Sequence, residues 1–211
     1  ADGPGLGPRR RGPAMSAAQR RLTRADIMAP EAYAAERRQR RRELMALKAD
    51  RRLEVGPFAT FYFENYDTMW HQVHEMLRIE KGGEEQIAGE LAAYNPLIPQ
   101  GRELVATLML EIEEPERRAR ELAGLGGIEE TVQLRLGQSL VCAVPEADLE
   151  RTDEKGKASA VHFLHFPLSD DQAAAFRDPA QDAVLGIEHA NYAHLARLSE
   201  RVRQALAADL A

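Results

Sequence analysis

"SAVHFLHF", residues 159–166, is rich in β-branched and aromatic residues, and this predicts a strand. Side chains alternate across a strand, so His162 sides with Ala160, Leu164 and Phe166, and His165 with Val161 and Phe163. The two histidines then point to opposite faces and cannot share one metal ion. Each sits among apolar neighbours. The plain reading of such a histidine is a core residue whose ring nitrogens are hydrogen-bonded.

Working outward, "ELVATLMLEI" (103–112), "TVQLRLG" (131–137), "SLVCAV" (139–144) and "DAVLGIEH" (182–189) also read as strands. "LEVGPFATFYFEN" (53–65) reads as a strand or hairpin bent at Gly56-Pro57. Helices are expected from Pro30 to about Arg52, over 67–81 with a stop at Gly82-Gly83, over 84–93, and within "EPERRARELAGLGG" (114–127). Ser169 caps another helix, and Ser199 a last one reaching about Leu210. Thr23 with Asp26 resembles a capping box. The prolines of "NPLIPQG" (95–101) speak against regular structure there. Strands and helices mix without a βαβ repeat. The expectation is therefore one α+β domain over 22–211, with a mainly antiparallel sheet covered by helices and a long basic N-terminal helix. Residues 1–21, opening "ADGPGLGPRRRGPA", read as a disordered leader or start-site extension, with Met15 a candidate native start.

At 211 residues the chain can bury a real core, and 44% hydrophobic with 29% charged residues is ordinary for a globular protein. Cys142 is the single cysteine, which excludes an intrachain disulfide and a four-cysteine zinc or iron–sulfur site within one chain. Apolar runs are too short for a membrane span, and no charged-then-apolar leader opens the chain; both predict a cytoplasmic protein. Residues 1–52 hold 14 Lys and Arg against 6 Asp and Glu, and the remainder 14 against 28. A basic arm on an acidic body suits an acidic protein partner, or arm and body neutralising each other. The acidic body would repel phosphate, which speaks against a nucleic-acid partner.

"WHQVHEML" (70–77) carries a second His-x-x-His pair. At 100° per residue, His71, His74, Glu75 and Arg78 share one helix face, and Met69, Trp70, Val73, Met76 and Leu77 the opposite one. This phase predicts Trp70, Val73 and Leu77 buried against the sheet and His71 far more exposed. Glu80 falls inside the apolar stripe, either at a fraying end or as a buried carboxylate. "RRQRRR" (37–42) places arginine around the whole helix circumference, so no buried core contact is expected from it. "EHANYAH" (188–194) packs Glu188, His189, Asn191, Tyr192 and His194 into what reads as a loop or irregular turn, where they could converge. Glu-x-x-His, His-Glu-x-x-His, Walker A, Gly-x-Gly-x-x-Gly and Gly-x-Ser-x-Gly motifs are all absent, leaving ferritin-like, zincin, NTPase, dinucleotide and serine-hydrolase readings without support.

The blocks "ENYDT…EMLRIE", "AYNPLIPQGRELVATLMLEI", "SAVHFLHF" and "EHANYAH" resemble the bacterial family known as domain of unknown function 3501, over about residues 22–211. The resemblance implies a redox or peroxide-defence setting, beside a rubrerythrin-like protein and an iron–sulfur oxidoreductase. It also brings forward His162, His189, His194, Glu75 and Arg78 as family positions, and leaves His71, His74 and His165 as features of this chain. Two functions follow as expectations. In one, His162, His189 and His194 with Glu75 bind iron or zinc, with Arg78 and Tyr192 lining the site; three imidazoles and a carboxylate suit Fe(II) or Zn(II) with a labile position. In the other, the protein is a non-catalytic accessory that docks on such a partner through its basic helix.

Overall fold

The computed structural model describes residues 20–146 and 157–211. Most of the expected leader, residues 1–19, lies outside the described residues. Arg20 already belongs to the body, donating from Nη1 to the carbonyls of Asp209 (2.7 Å) and Pro99 (3.1 Å). Leu22 is buried, and its backbone pairs in both directions with the Asn95 side chain (2.7 and 3.0 Å). The "NPLIPQG" stretch thus fastens the start of the domain. It includes a single 3₁₀ turn, Asn95–Leu97, where no regular structure was expected. The Thr23–Asp26 pair closes only another 3₁₀ turn, Arg24–Asp26, with the Asp26 carboxylate accepting from the Thr23 N–H and hydroxyl.

The protein is α+β, with two antiparallel sheets. The first contains β1 (Arg52–Val55), β2 (Ala59–Phe63), β3 (Glu103–Leu110), β7 (Val161–Pro167) and β6 (Val144–Pro145), in the order β1-β2-β3-β7-β6. The second contains β5 (Ser139–Cys142), β4 (Val132–Leu136), β8 (Ala183–His189) and β9 (Tyr192–Arg197), in that order. The helices are α1 (Pro30–Ala49), α2 (Tyr66–Glu80), α3 (Gly83–Tyr94), α4 (Pro115–Ala123), α5 (Asp170–Arg177) and α6 (Glu200–Ala207). "EHANYAH" is not a loop. Its residues form the β8–β9 hairpin, with His189 opposite Tyr192 and Ile187 opposite His194.

Alternation in the central strands sorts the core into two layers. Leu104, Ala106 and Leu108 of β3, with Leu164 and Phe166 of β7, pack between the sheets against Leu134, Leu185 and Ile187. The opposite face of β3 and β7, carrying Val105 and half-buried Phe163, packs against Met69 and Val73 of α2, Ile87 of α3, and Leu97. The first sheet therefore lies between a helical layer and the second sheet. A polar clamp closes the C-terminus on this frame. The buried Arg51 guanidinium pairs with Asp209 and donates to the carbonyls of Phe63 (3.0 Å), Glu64 (3.1 Å) and Ala205 (3.2 Å).

One turn couples the layers. Gly56, at φ +78°, opens the β1–β2 hairpin, and a Cβ there would lie 2.6 Å from both the His194 ring and the Tyr192 hydroxyl. Gly83, at φ +70°, has open space around it. Gly83→Ala should cost about 1 kcal/mol, the left-handed backbone penalty alone. Gly56→Ala adds displacement of two rings and should cost about 2–4 kcal/mol in urea unfolding. Equal losses would show that the turn does not depend on this close approach.

Candidate functional site

The predicted ligands each take different partners. His162 is 1% exposed and faces the inter-sheet core; its Nε2–H donates to the Ser159 carbonyl (2.9 Å), and Nδ1 lies 3.6 Å from Glu129 Oε2. His189 is held in the hairpin: Nδ1 accepts from the Asn191 N–H (3.2 Å), so Nε2 carries the proton and donates to the Gly126 carbonyl (3.2 Å). His194 is exposed, its ring edge-on to Tyr192 with centroids 4.6 Å apart. Tyr192 is buried. Its hydroxyl donates to the Val55 carbonyl (2.7 Å) and accepts from the N–H groups of Ala59 (3.0 Å) and Phe58 (3.3 Å), so it braces the β1–β2 turn. Glu75 and Arg78 lie on α2, across the first sheet from the face that His162 occupies. Among the described residues no group of three or more His, Cys, Asp or Glu side chains could hold a metal ion.

His165, on the opposite face of β7, lies between two carboxylates: Nδ1 is 2.9 Å from Glu103 and Nε2 is 2.8 Å from Glu146. Chiefly the Glu103 hydrogen bond raises its pKa. This ties the two-residue edge strand β6 to the sheet.

The polar face of α2 is a correction to the helix phase. Val73 is buried as expected, but His71 and His74 are buried too, while Trp70 and Leu77 are only half-buried. The reason is a second cover: α1 lies on this face. Tyr33, the one buried residue of α1, donates its hydroxyl proton to Glu75 Oε1 (2.8 Å), which leaves its oxygen to accept from His71 Nδ1–H (3.2 Å). Arg37 grips both Glu75 oxygens at 2.7 Å, and Arg78 approaches at 3.4 Å. His74 is stacked on Trp70 with centroids 3.8 Å apart, and the Arg40 guanidinium lies 4.4 Å from the Trp70 centroid. The Met28 N–H donates to His74 Nε2 (3.0 Å), so Nδ1 carries the proton toward the Trp70 carbonyl (2.7 Å). Burial holds the His74 pKa down at about 4 and also lowers that of His71. The Arg37 hydrogen bonds hold Glu75 at about 2. Two of the five arginines in "RRQRRR" therefore serve the body. Glu80 is exposed at the helix end and accepts from Gln86 (2.8 Å).

The comparisons with known proteins agree with this architecture. The family model described as Protein of unknown function (DUF3501) matches residues 21–210. The chain belongs to this family. A crystal structure from Burkholderia pseudomallei K96243, titled as a novel protein of unknown function, is 41% identical, with a TM-score of 0.83 over 90% of this chain and 99% of that one. No curated protein matches.

Within this DUF3501 chain the outward side of α1 carries exposed positive charge. Arg38, Arg41 and Arg42 are exposed, Met45 is 70% exposed beside them, and neither Arg38 nor Arg41 has an ion-pair partner among the described residues. No helix of the described residues is long and apolar enough to cross a membrane.

The α1–α2 contact should be acid-labile. His74 titrates near 6.5 when unfolded and at about 4 when folded. Between these values the unfolded chain binds the extra proton, so stability falls as pH drops through that window. The wild type should lose on the order of 2 kcal/mol more than His74→Phe, which keeps a ring on Trp70 but cannot titrate. Parallel stability–pH curves in denaturant unfolding would contradict a neutral buried His74.

Proposed function

We propose that this protein is a non-catalytic accessory protein of the cytoplasm that docks, through the outer face of α1, on an acidic surface of a redox partner. The observation that carries this reading is the exposed row of Arg38, Arg41 and Arg42 around Met45, on a helix pinned from behind by Tyr33 and Arg37. Guanidinium groups grip carboxylates two hydrogen bonds at a time, and arginine and methionine are favoured at protein interfaces. A pre-positioned helix also loses little conformational freedom on binding. The kind of partner, a rubrerythrin-like protein or an iron–sulfur oxidoreductase, rests on the family resemblance. The alternative, iron or zinc on His162, His189, His194 and Glu75, has less support: it requires residues on both sides of the first sheet to converge.

The test uses the purified chain with each of the two candidate partners. The variant carrying Arg38→Glu, Arg41→Glu and Arg42→Glu should keep its unfolding free energy within about 1 kcal/mol, since these side chains face solvent. Its affinity should fall roughly tenfold or more, and wild-type affinity should weaken with added salt. Unchanged affinity in the variant would overturn the docking role. So would wild-type self-association through the same face, which would assign the arginines to a second copy of the chain.

A further inference from the structure

Glu64, on the helix side of the first sheet, is a buried carboxylate left without a full set of hydrogen-bond donors among the described residues. The alternation that sends Phe61 and Phe63 between the sheets turns Tyr62 and Glu64 to the helix side. Glu64 continues the strand through its N–H to the Val105 carbonyl (2.8 Å) and is only 4% exposed. Its Oε1 accepts from the Thr107 hydroxyl (2.7 Å). Its Oε2 is shielded from solvent and accepts no hydrogen bond from any described residue. The nearby Arg51 guanidinium takes the Glu64 carbonyl and the Asp209 carboxylate instead. A buried carboxylate oxygen without a donor is unfavourable, and it calls for a partner from outside the chain.

That oxygen belongs to a residue lining a cavity of about 260 Å³ between the first sheet and α2, with the ends of α1 and α3 at its edges. The register orders the floor. Glu64 lies beside Val105, Tyr62 pairs with Thr107 and Thr107 with Phe163, and Met109 pairs with Val161. Val161 is 37% exposed, so the floor runs from a closed end at Glu64 to an open one at Val161, about 13 Å at the strand rise. Met69, Leu97 and Met109 supply apolar wall. Tyr62, Tyr94 and Phe163 supply aromatic rings, and the side chains of Tyr94 and Gln72 make no hydrogen bond to other described residues. An apolar cleft with a few convergent polar groups is the usual form of a small-molecule site.

We propose that this cavity binds a small organic monoammonium compound, with the ammonium against Glu64 and an apolar body along Met69, Met109 and Phe163. A carboxylate repels anions, and ammonium groups are also attracted to aromatic faces. Calcium or magnesium would need about six oxygen ligands and zinc about four ligands, whereas one carboxylate and one hydroxyl meet here. Lys48 lines the same cavity, so a second positive charge on the ligand is disfavoured. This site is independent of the docking role assigned to α1.

The probe is benzylammonium chloride, titrated into the full chain by calorimetry and followed by saturation-transfer NMR, with benzoate and the diamine 1,4-diaminobutane as comparisons. Benzylammonium should bind saturably at one site and more tightly than either comparison. Glu64→Gln, which keeps an acceptor for Thr107 but removes the charge, should weaken it roughly tenfold or more. Met109→Trp, which fills the cavity while keeping Glu64, should weaken it as well. Equal binding of benzoate, unchanged affinity in Glu64→Gln, or no saturable binding by the wild type would each overturn the proposal; the last would leave a water molecule as the donor to Oε2.

Discussion

The carboxylate of Glu75 holds the outermost helix to the rest of the molecule. Over its 20 residues α1 buries only Tyr33, so it has no apolar stripe wide enough to fasten it by hydrophobic packing alone. Glu75 supplies what the stripe lacks. It accepts the Arg37 fork and the Tyr33 hydroxyl together, in a position sheltered enough for both to count. The same arginine keeps it ionised far below neutral pH. The electrostatics around it are consistent with this: His71 and His74 lie beneath an arginine-rich helix, and burial holds both toward the neutral form. The contact therefore concentrates one negative charge against several positive ones.

A second constraint comes from β3, which is buried on both faces. A strand with cores on either side divides the molecule, and residues assigned to opposite faces stay apart whatever their rotamers. His162 follows Leu164 and Phe166 into the inter-sheet core, while Glu75 travels with α2 on the other side. His189 and His194 are taken up by the hairpin and the Gly56 turn. Each of these histidines has local hydrogen-bonding or packing partners. The helix-side face of the same sheet carries Glu64 and the cavity beside it. Both the candidate ligand site and the outward helix therefore lie in the helical layer.

Period-2 and period-3.6 patterns made most elements legible. β3, β4, β5, β7 and β8 lie where alternation and β-branching predicted them, and α2 ends just before the two glycines. The opposite-face reading of His162 and His165 follows from alternation alone and holds in the register. Three features escaped for physical reasons. The wheel for α2 assumed one covered face, but a helix sandwiched between a sheet and another helix buries polar residues that a wheel assigns to solvent. Nothing in "RRQRRR" distinguishes Arg37 and Arg40, which turn inward, from Arg38 and Arg41, because Tyr33 at i−4 is the only marker of the inner side. "EHANYAH" looked like a turn because its polar residues mask a strand on which Tyr192 is the buried one. For the candidate site, the signal was present at Glu64: it shares strand parity with Tyr62 rather than with Phe61 and Phe63. Only the packing shows that α2 closes over it.

In this arrangement α1 is a fixed platform, held by Glu75, rather than an arm that orders on meeting a partner. Amide hydrogen exchange of the isolated full chain tests this most directly. The α1 amides between Ala34 and Arg42 should be protected in the wild type to a degree comparable with those of α2, and Glu75→Gln should selectively release α1 while the sheet amides remain protected. Fast exchange throughout α1 in the wild type, or α1 protection unaffected by Glu75→Gln, would contradict it.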